Sequence, residues 1–95
     1  MMEKQLEQKL VKAVKSVGGL ALKLVSPGFA GMPDRLVLLT GGKIAFIEVK
    51  APGKKPWSLQ LKRHRDLRQL GFKVYVLDDE VQIEKILNDV GGGAR

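Results

Sequence analysis

Apolar residues near the start of the chain, Leu6, Leu10, Ala13, Val14 and Val17, recur at intervals of three and four. That is the rhythm of one helical face. It predicts a helix over residues 3–17, stopped by Gly18-Gly19. Residues 20–25 then read as a strand that is apolar on both faces apart from Lys23, and residues 26–33 as a loop rich in Pro and Gly. A second strand is expected at 34–39 and a third at 43–50. Thr40-Gly41-Gly42 between them makes a tight antiparallel hairpin. The third strand is apolar enough to suggest burial on both faces. Ala51-Pro52-Gly53-Lys54-Lys55-Pro56 breaks the pattern. Ser58 is the expected N-cap of a helix over 59–70, and Gly71 ends it. A fourth strand follows at 72–77. Asp79 with Gln82 then forms a capping-box pattern for a last helix running to about residue 90.

The element order is α-β-β-β-α-β-α. A crossover helix between the third and fourth strands makes that pair parallel, with a right-handed connection. The fold class is therefore α/β, with a four-stranded mixed sheet flanked by helices. Residues 1–90 are read as one domain, and the Gly-rich residues 91–95 as a flexible tail.

Composition narrows the chemistry. With 95 residues there is room for one core. No apolar run approaches the length of a membrane span, and the charged N-terminus is not that of a secretory signal, so a cytoplasmic protein is expected. The chain has no cysteine and a single histidine, His64. Thiolate sites and multi-histidine zinc sites are excluded within one chain, and a metal would rest mainly on oxygen ligands, as magnesium or manganese does. The formal charge of +7 favours a polyanionic partner.

The third strand ends in Ile47-Glu48-Val49-Lys50. Glu48 and Lys50, two apart, project from one face, an odd place for two charges in an apolar strand. Asp34 opens the strand that hairpins onto this one. Counted back from the Gly41-Gly42 turn, it lies near the level of Glu48. Carboxylates so placed repel each other, and one divalent cation relieves both.

Pro33-Asp34 followed by Glu48-Val49-Lys50, in this order of elements, resembles the PD-(D/E)XK nucleases. Within them the chain resembles the VRR-Nuc family, the virus-type replication-repair nucleases, and is similar to the archaeal Holliday junction resolvases. The matching stretches are Glu7, Gly31-Met32-Pro33-Asp34, Ile47-Glu48-Val49-Lys50, Gln60 with His64, and residues 71–76. The resemblance implies a restriction-endonuclease-like core and a catalytic set of Asp34, Glu48, Lys50, Glu7 and Gln60. Asp34, Glu48 and the backbone carbonyl of Val49 would hold Mg2+, with Mn2+ able to substitute. Glu7 would reach the metal from the first helix, with Glu3 as its rival. Lys50 would orient the attacking water, and Gln60 would complete the pocket. The implied product carries a 5′ phosphate.

The expected substrate is DNA, branched or four-way, held through its backbone by Lys54, Lys55, Lys62, Arg63, Arg65 and Arg35, with Lys23 and Arg68 nearby. A homodimer is expected, since two sites are needed to cut a four-way junction symmetrically. The stand-alone format also resembles phage-encoded members. A less selective nickase and a non-catalytic DNA-binding module are the alternatives. Four further residues are open. His64 is either a phosphate contact or a packed side chain. Trp57 either anchors its loop or a subunit interface, or stacks on a base. Phe29 and Met32, in the Gly-rich loop, raise the same question as Trp57.

Overall fold

A computed structural model describes residues 1–91. The elements are α1 (Glu3–Ser16), β1 (Leu20–Lys23), β2 (Arg35–Leu39), β3 (Lys43–Val49), α2 (Ser58–Gln69), β4 (Lys73–Leu77) and α3 (Gln82–Val90). The element order is the expected one, and the strands form a single sheet in the order β1-β2-β3-β4. β1–β2 and β2–β3 are antiparallel and β3–β4 is parallel, as the hairpin turn and the crossover helix require. The tail expected at 91–95 lies, from residue 92 onward, outside the described residues. Among the described residues no helix is long and apolar enough to cross a membrane.

One sheet face carries the core. Val37, Ala45, Ile47, Val49 and Leu77 alternate inward along their strands. They pack with Leu6, Leu10 and Val14 of α1 and with Ile83, Ile86 and Val90 of α3. Of the helical spacing in the sequence, Leu6, Leu10 and Val14 form the buried stripe of α1 with Ala13 packed beside it, whereas Val17 is the exposed C-cap.

The other face is covered on one side only. α2 lies against β4, burying Leu67 and Val74. Phe46 and Phe72 meet edge to face beside it, with ring centroids 5.6 Å apart. On this face, no helix among the described residues lies over β1 and β2. Leu20 (58% exposed), Leu22 and Ile44 are exposed and Leu36 and Leu38 are half-buried. Burial of β3 on both faces therefore holds only at its C-terminal end, where α2 sits.

Two local starts differ from expectation. Trp57, not Ser58, caps α2: its backbone N–H donates to the Gln60 side chain at 2.8 Å. The Asp79 N–H donates to Gln82 Oε1 at 3.3 Å, but the Asp79 carboxylate accepts from the Val81 N–H, and the helix begins at Gln82 with Val81 as its N-cap.

The loop that delivers Asp34 is clamped to α2. Gly31 has φ +90°, and a Cβ there would come within 2.8 Å of Leu59 Cγ. Only glycine satisfies both the left-handed backbone and the close approach. Arg63 closes the clamp from the helix, donating through Nε to the Ala30 carbonyl at 2.9 Å with its guanidinium 3.8 Å from the centre of the Phe29 ring.

Candidate active site

The register Arg35↔Ile47 places Asp34 next in line with Glu48. Asp34 precedes β2 in a bend, so its side chain turns toward the end of β3, where Oδ2 accepts a bond from the Val49 N–H at 2.7 Å. In an antiparallel strand the N–H and C=O of one residue point the same way. The Val49 carbonyl is therefore directed to the Asp34 side, beyond the last β2–β3 pair.

Glu48 is 1% exposed and projects to the α2 face. Three side chains surround it. Gln60 Nε2 donates to Oε2 at 3.0 Å, His64 Nε2 lies 3.2 Å from Oε1, and Lys50 Nζ lies 3.9 Å from Oε2. Burial pushes the Glu48 carboxyl up to about 8, and the charge and hydrogen bonding of Asp34 add to the rise. Lys50 pulls it down and Glu3 pushes it slightly up. Two carboxyl groups in a dry corner thus retain a proton that one alone in water would release.

That retained proton is the test of fit for a metal. Oxygen donors with excess negative potential suit a hard divalent cation, which would replace the proton. Among the described residues no three His, Cys, Asp or Glu side chains form a metal-holding group. The donor set is two carboxylates, with the Val49 carbonyl directed to the same side.

His64, for which the sequence allows either a phosphate contact or a packed side chain, is packed. It is 1% exposed and its ring faces Glu48. Burial lowers its pKa, and the charges of Arg68 and Lys50 lower it further, so it stays neutral near pH 7. Which of Nε2 and Glu48 Oε1 donates depends on the tautomer of the ring, and among the described residues Nδ1 has no partner. The available signal was its spacing: Gln60 and His64 lie one turn apart on α2 and both reach Glu48.

α1 offers two carboxylates. Glu3 reaches the site, its Oε1 accepting from the Ala51 N–H at 3.2 Å, just past Lys50. Glu7 does not: its Oε2 is 2.7 Å from Arg35 Nε, on the core side of the sheet. Of the two, Glu3 is the carboxylate that lies at the end of β3, while the Arg35 guanidinium holds the Glu7 carboxylate. Two of the expected DNA contacts are engaged within the chain. Arg35 is held by Glu7 and the Ala21 carbonyl, and Arg63 by the Ala30 carbonyl and Phe29. Lys54, Lys55, Lys62 and Arg65 remain exposed, with Lys62 sharing Asp66 on its own helix. Arg68 donates to the Val74 carbonyl.

Trp57 does not anchor its loop by burial. It is 72% exposed, with Lys50 Nζ over its ring at 5.1 Å from the centroid.

No family model matches the chain. A curated relative, "Putative nuclease p44" of Acyrthosiphon pisum secondary endosymbiont phage 1, is 53% identical over 78 residues, which is 82% of this chain and 84% of the relative. A solved structure described as a VRR_NUC domain superposes with a TM-score of 0.86 at 32% identity, over 93% of this chain and 97% of its own. Likeness of sequence and of fold over most of both chains leads to one conclusion: the chain belongs to the VRR-Nuc family.

Proposed function

We propose that the protein is a magnesium-dependent endonuclease that hydrolyses phosphodiester bonds of branched DNA, four-way junctions above all, and works as a homodimer. The observation that carries this reading is the convergence of Asp34, Glu48, Lys50 and Gln60 at the end of β3, next to a loop with two exposed lysines. The nuclease relative and the VRR_NUC neighbour support the same class. The phage source of that relative accords with a phage origin for this chain.

Asp34 and Glu48, with the Val49 carbonyl, would hold the cation. Bound there, a magnesium ion supplies Lewis acidity to a phosphodiester oxygen and acidifies a coordinated water. The chain's own groups do the rest. Gln60 and His64 hold the two oxygens of Glu48 in one orientation. The Lys50 ammonium donates to the attacking water or to the phosphoryl oxygen on which charge develops. The water oxygen would bond to phosphorus as the bond to the 3′ oxygen breaks; the 3′ oxygen would take a proton from solvent and leave as a hydroxyl, and the phosphate would stay on the 5′ end. Lys54 and Lys55 offset the repulsion between the DNA backbone and the carboxylates.

The uncovered sheet face supports the dimer. Leu20, Leu22, Leu36, Leu38 and Ile44 carry no charge on a chain of +7. Copies of so basic a protein repel one another except on such a face, and a second copy would cover it.

The test is cleavage of a labelled four-way junction beside a matched linear duplex, with magnesium or with EDTA. Paired, metal-dependent incisions near the branch, with the duplex spared, are expected. Equal cutting of both DNAs would instead indicate a general endonuclease. Binding without cutting by a folded chain would indicate a non-catalytic module. In sedimentation, the native chain is expected to run as a dimer and Leu38→Lys as a monomer. A native monomer would remove the dimer from the reading.

A further inference from the structure

Trp57 combines two properties that rarely go together: its side chain is open to solvent and its backbone is fixed. A large aromatic ring 72% exposed forgoes most of its burial energy. The backbone beneath it is pinned on both sides. The Trp57 N–H donates to Gln60 Oε1 at 2.8 Å, and the Trp57 carbonyl accepts from the Leu61 N–H at 2.9 Å. Pro56 stiffens the approach. Gln60 then continues to Glu48 at 3.0 Å, so one amide ties the backbone of Trp57 to the carboxylate of the site. The Lys50 ammonium lies over the ring.

We infer that Trp57 is a stacking platform for a nucleobase of the substrate, beside the phosphate that is cut. The inference deepens the nuclease reading and rests on it for the position of that phosphate. In a nucleotide the base stands one sugar away from its phosphate. A ring in contact with the lysine that faces the phosphate is therefore placed at the base. Lys54 and Lys55, two residues upstream of Trp57 and beyond, are the backbone contacts, and an indole adds little to phosphate binding because it has a single N–H donor. What it offers is a flat face, and base–aromatic stacking tolerates any sequence.

The consequence is a substrate feature. In linear duplex both faces of a base are covered by its neighbours. At a branch, a gap or a single-stranded flank, one face is free. Trp57 would favour DNA with an unstacked base at the cut and would do so without reading which base it is.

Trp57 is the single tryptophan of the chain, so its fluorescence reports on this ring alone. The experiment titrates the full-length Asp34→Asn chain, which keeps the DNA whole, with three probes of equal length: a single-stranded oligonucleotide, the same strand carrying abasic sites, and a linear duplex. Quenching by the base-bearing strand, and much less by the abasic strand or the duplex, is expected. Trp57→Leu in that background is expected to bind the base-bearing strand about 5–100-fold more weakly, with Trp57→Phe within a few-fold of the parent. Unchanged melting temperatures would show that both variants fold. Equal quenching by the abasic strand would overturn the inference, as would undiminished binding by Trp57→Leu. A switch from dimer to monomer on Trp57→Leu with undiminished DNA binding would also overturn it, by assigning the ring to the subunit interface. Base-dependent quenching by a chain whose native form cuts no DNA would support the platform while removing the nuclease reading.

Discussion

Lys50→Ala is expected to lower the cleavage rate by about 10²–10³-fold, the usual cost of one donor aimed at developing charge, while leaving metal affinity within a few-fold. Two opposing effects produce the second half of that expectation. Lys50 repels an incoming cation. It also pulls down the carboxyl of Glu48, which makes that group easier to ionise. Removing the ammonium relieves the repulsion but strengthens the competing proton, so the net change in affinity is small. Asp34→Ala behaves differently. It removes one of the two carboxylates and also the acceptor for the Val49 N–H. Both metal binding and cleavage should be lost, and the melting temperature should fall because the end of β3 is left with an unmet donor. Isothermal titration with Mn2+ alongside single-turnover cleavage separates the two variants. If Lys50→Ala lost metal binding as completely as Asp34→Ala, Lys50 would be a structural support for the carboxylates and its role in orienting water would be withdrawn.

How far the sequence carried depended on the range of the interactions involved. The Gly41-Gly42 turn fixes the hairpin register, and the register alone puts Asp34 level with Glu48. Strand alternation alone puts Glu48 and Lys50 on one face. These are local rules, and both hold. Glu3 and Glu7 are alike by every local rule, since they share a helix face. What separates them is where α1 lies along the sheet: Arg35 arrives beside Glu7, and the end of β3 arrives beside Glu3. A cation near a strand or on a basic helix is exposed by default, which makes Arg35 and Arg63 expected DNA contacts from the sequence. Their partners, Glu7 and the Ala30 carbonyl, are 28 and 33 residues away in sequence. The bare half of the second sheet face was hidden for a similar reason. Ile44 lies in a strand whose apolar content suggests burial on both faces, and only the position of α2 over β4 shows that nothing in the described chain covers it or its neighbours Leu36 and Leu38.

The retained proton on Glu48 predicts a pH dependence that a metal should reverse. In the metal-free protein Glu48 titrates at about 8, against 4.5 for the same group without the fold. Between those values the folded chain holds a proton that the unfolded chain has released. The stabilisation is complete below about 4.5 and is lost as pH rises through about 8. His64 acts the other way. Its pKa is lowered from 6.5, so the unfolded chain takes up a proton that the folded chain refuses, and stability falls as pH drops below 6.5. Just below 6.5 the two trends oppose. Between about 6.5 and 8 Glu48 acts alone, and the melting temperature of the metal-free chain is expected to decline across that window. A bound divalent cation needs the ionised carboxylate, so each ion must displace the proton. Apparent Mg2+ or Mn2+ affinity should therefore rise about tenfold per pH unit up to about 8 and then level off. Thermal stabilisation by the metal should grow over the same range, and at ~100 times Kd it is worth ~2.7 kcal/mol. Glu48→Gln keeps the shape of the side chain without the proton equilibrium. It should flatten the decline between 6.5 and 8 and abolish metal stabilisation. The measurement is a set of melting curves with and without Mn2+ at half-unit steps from pH 5.5 to pH 9. A metal affinity that did not change between pH 6.5 and pH 8 would mean that the ion does not meet Glu48, and the two-carboxylate site would have to be abandoned.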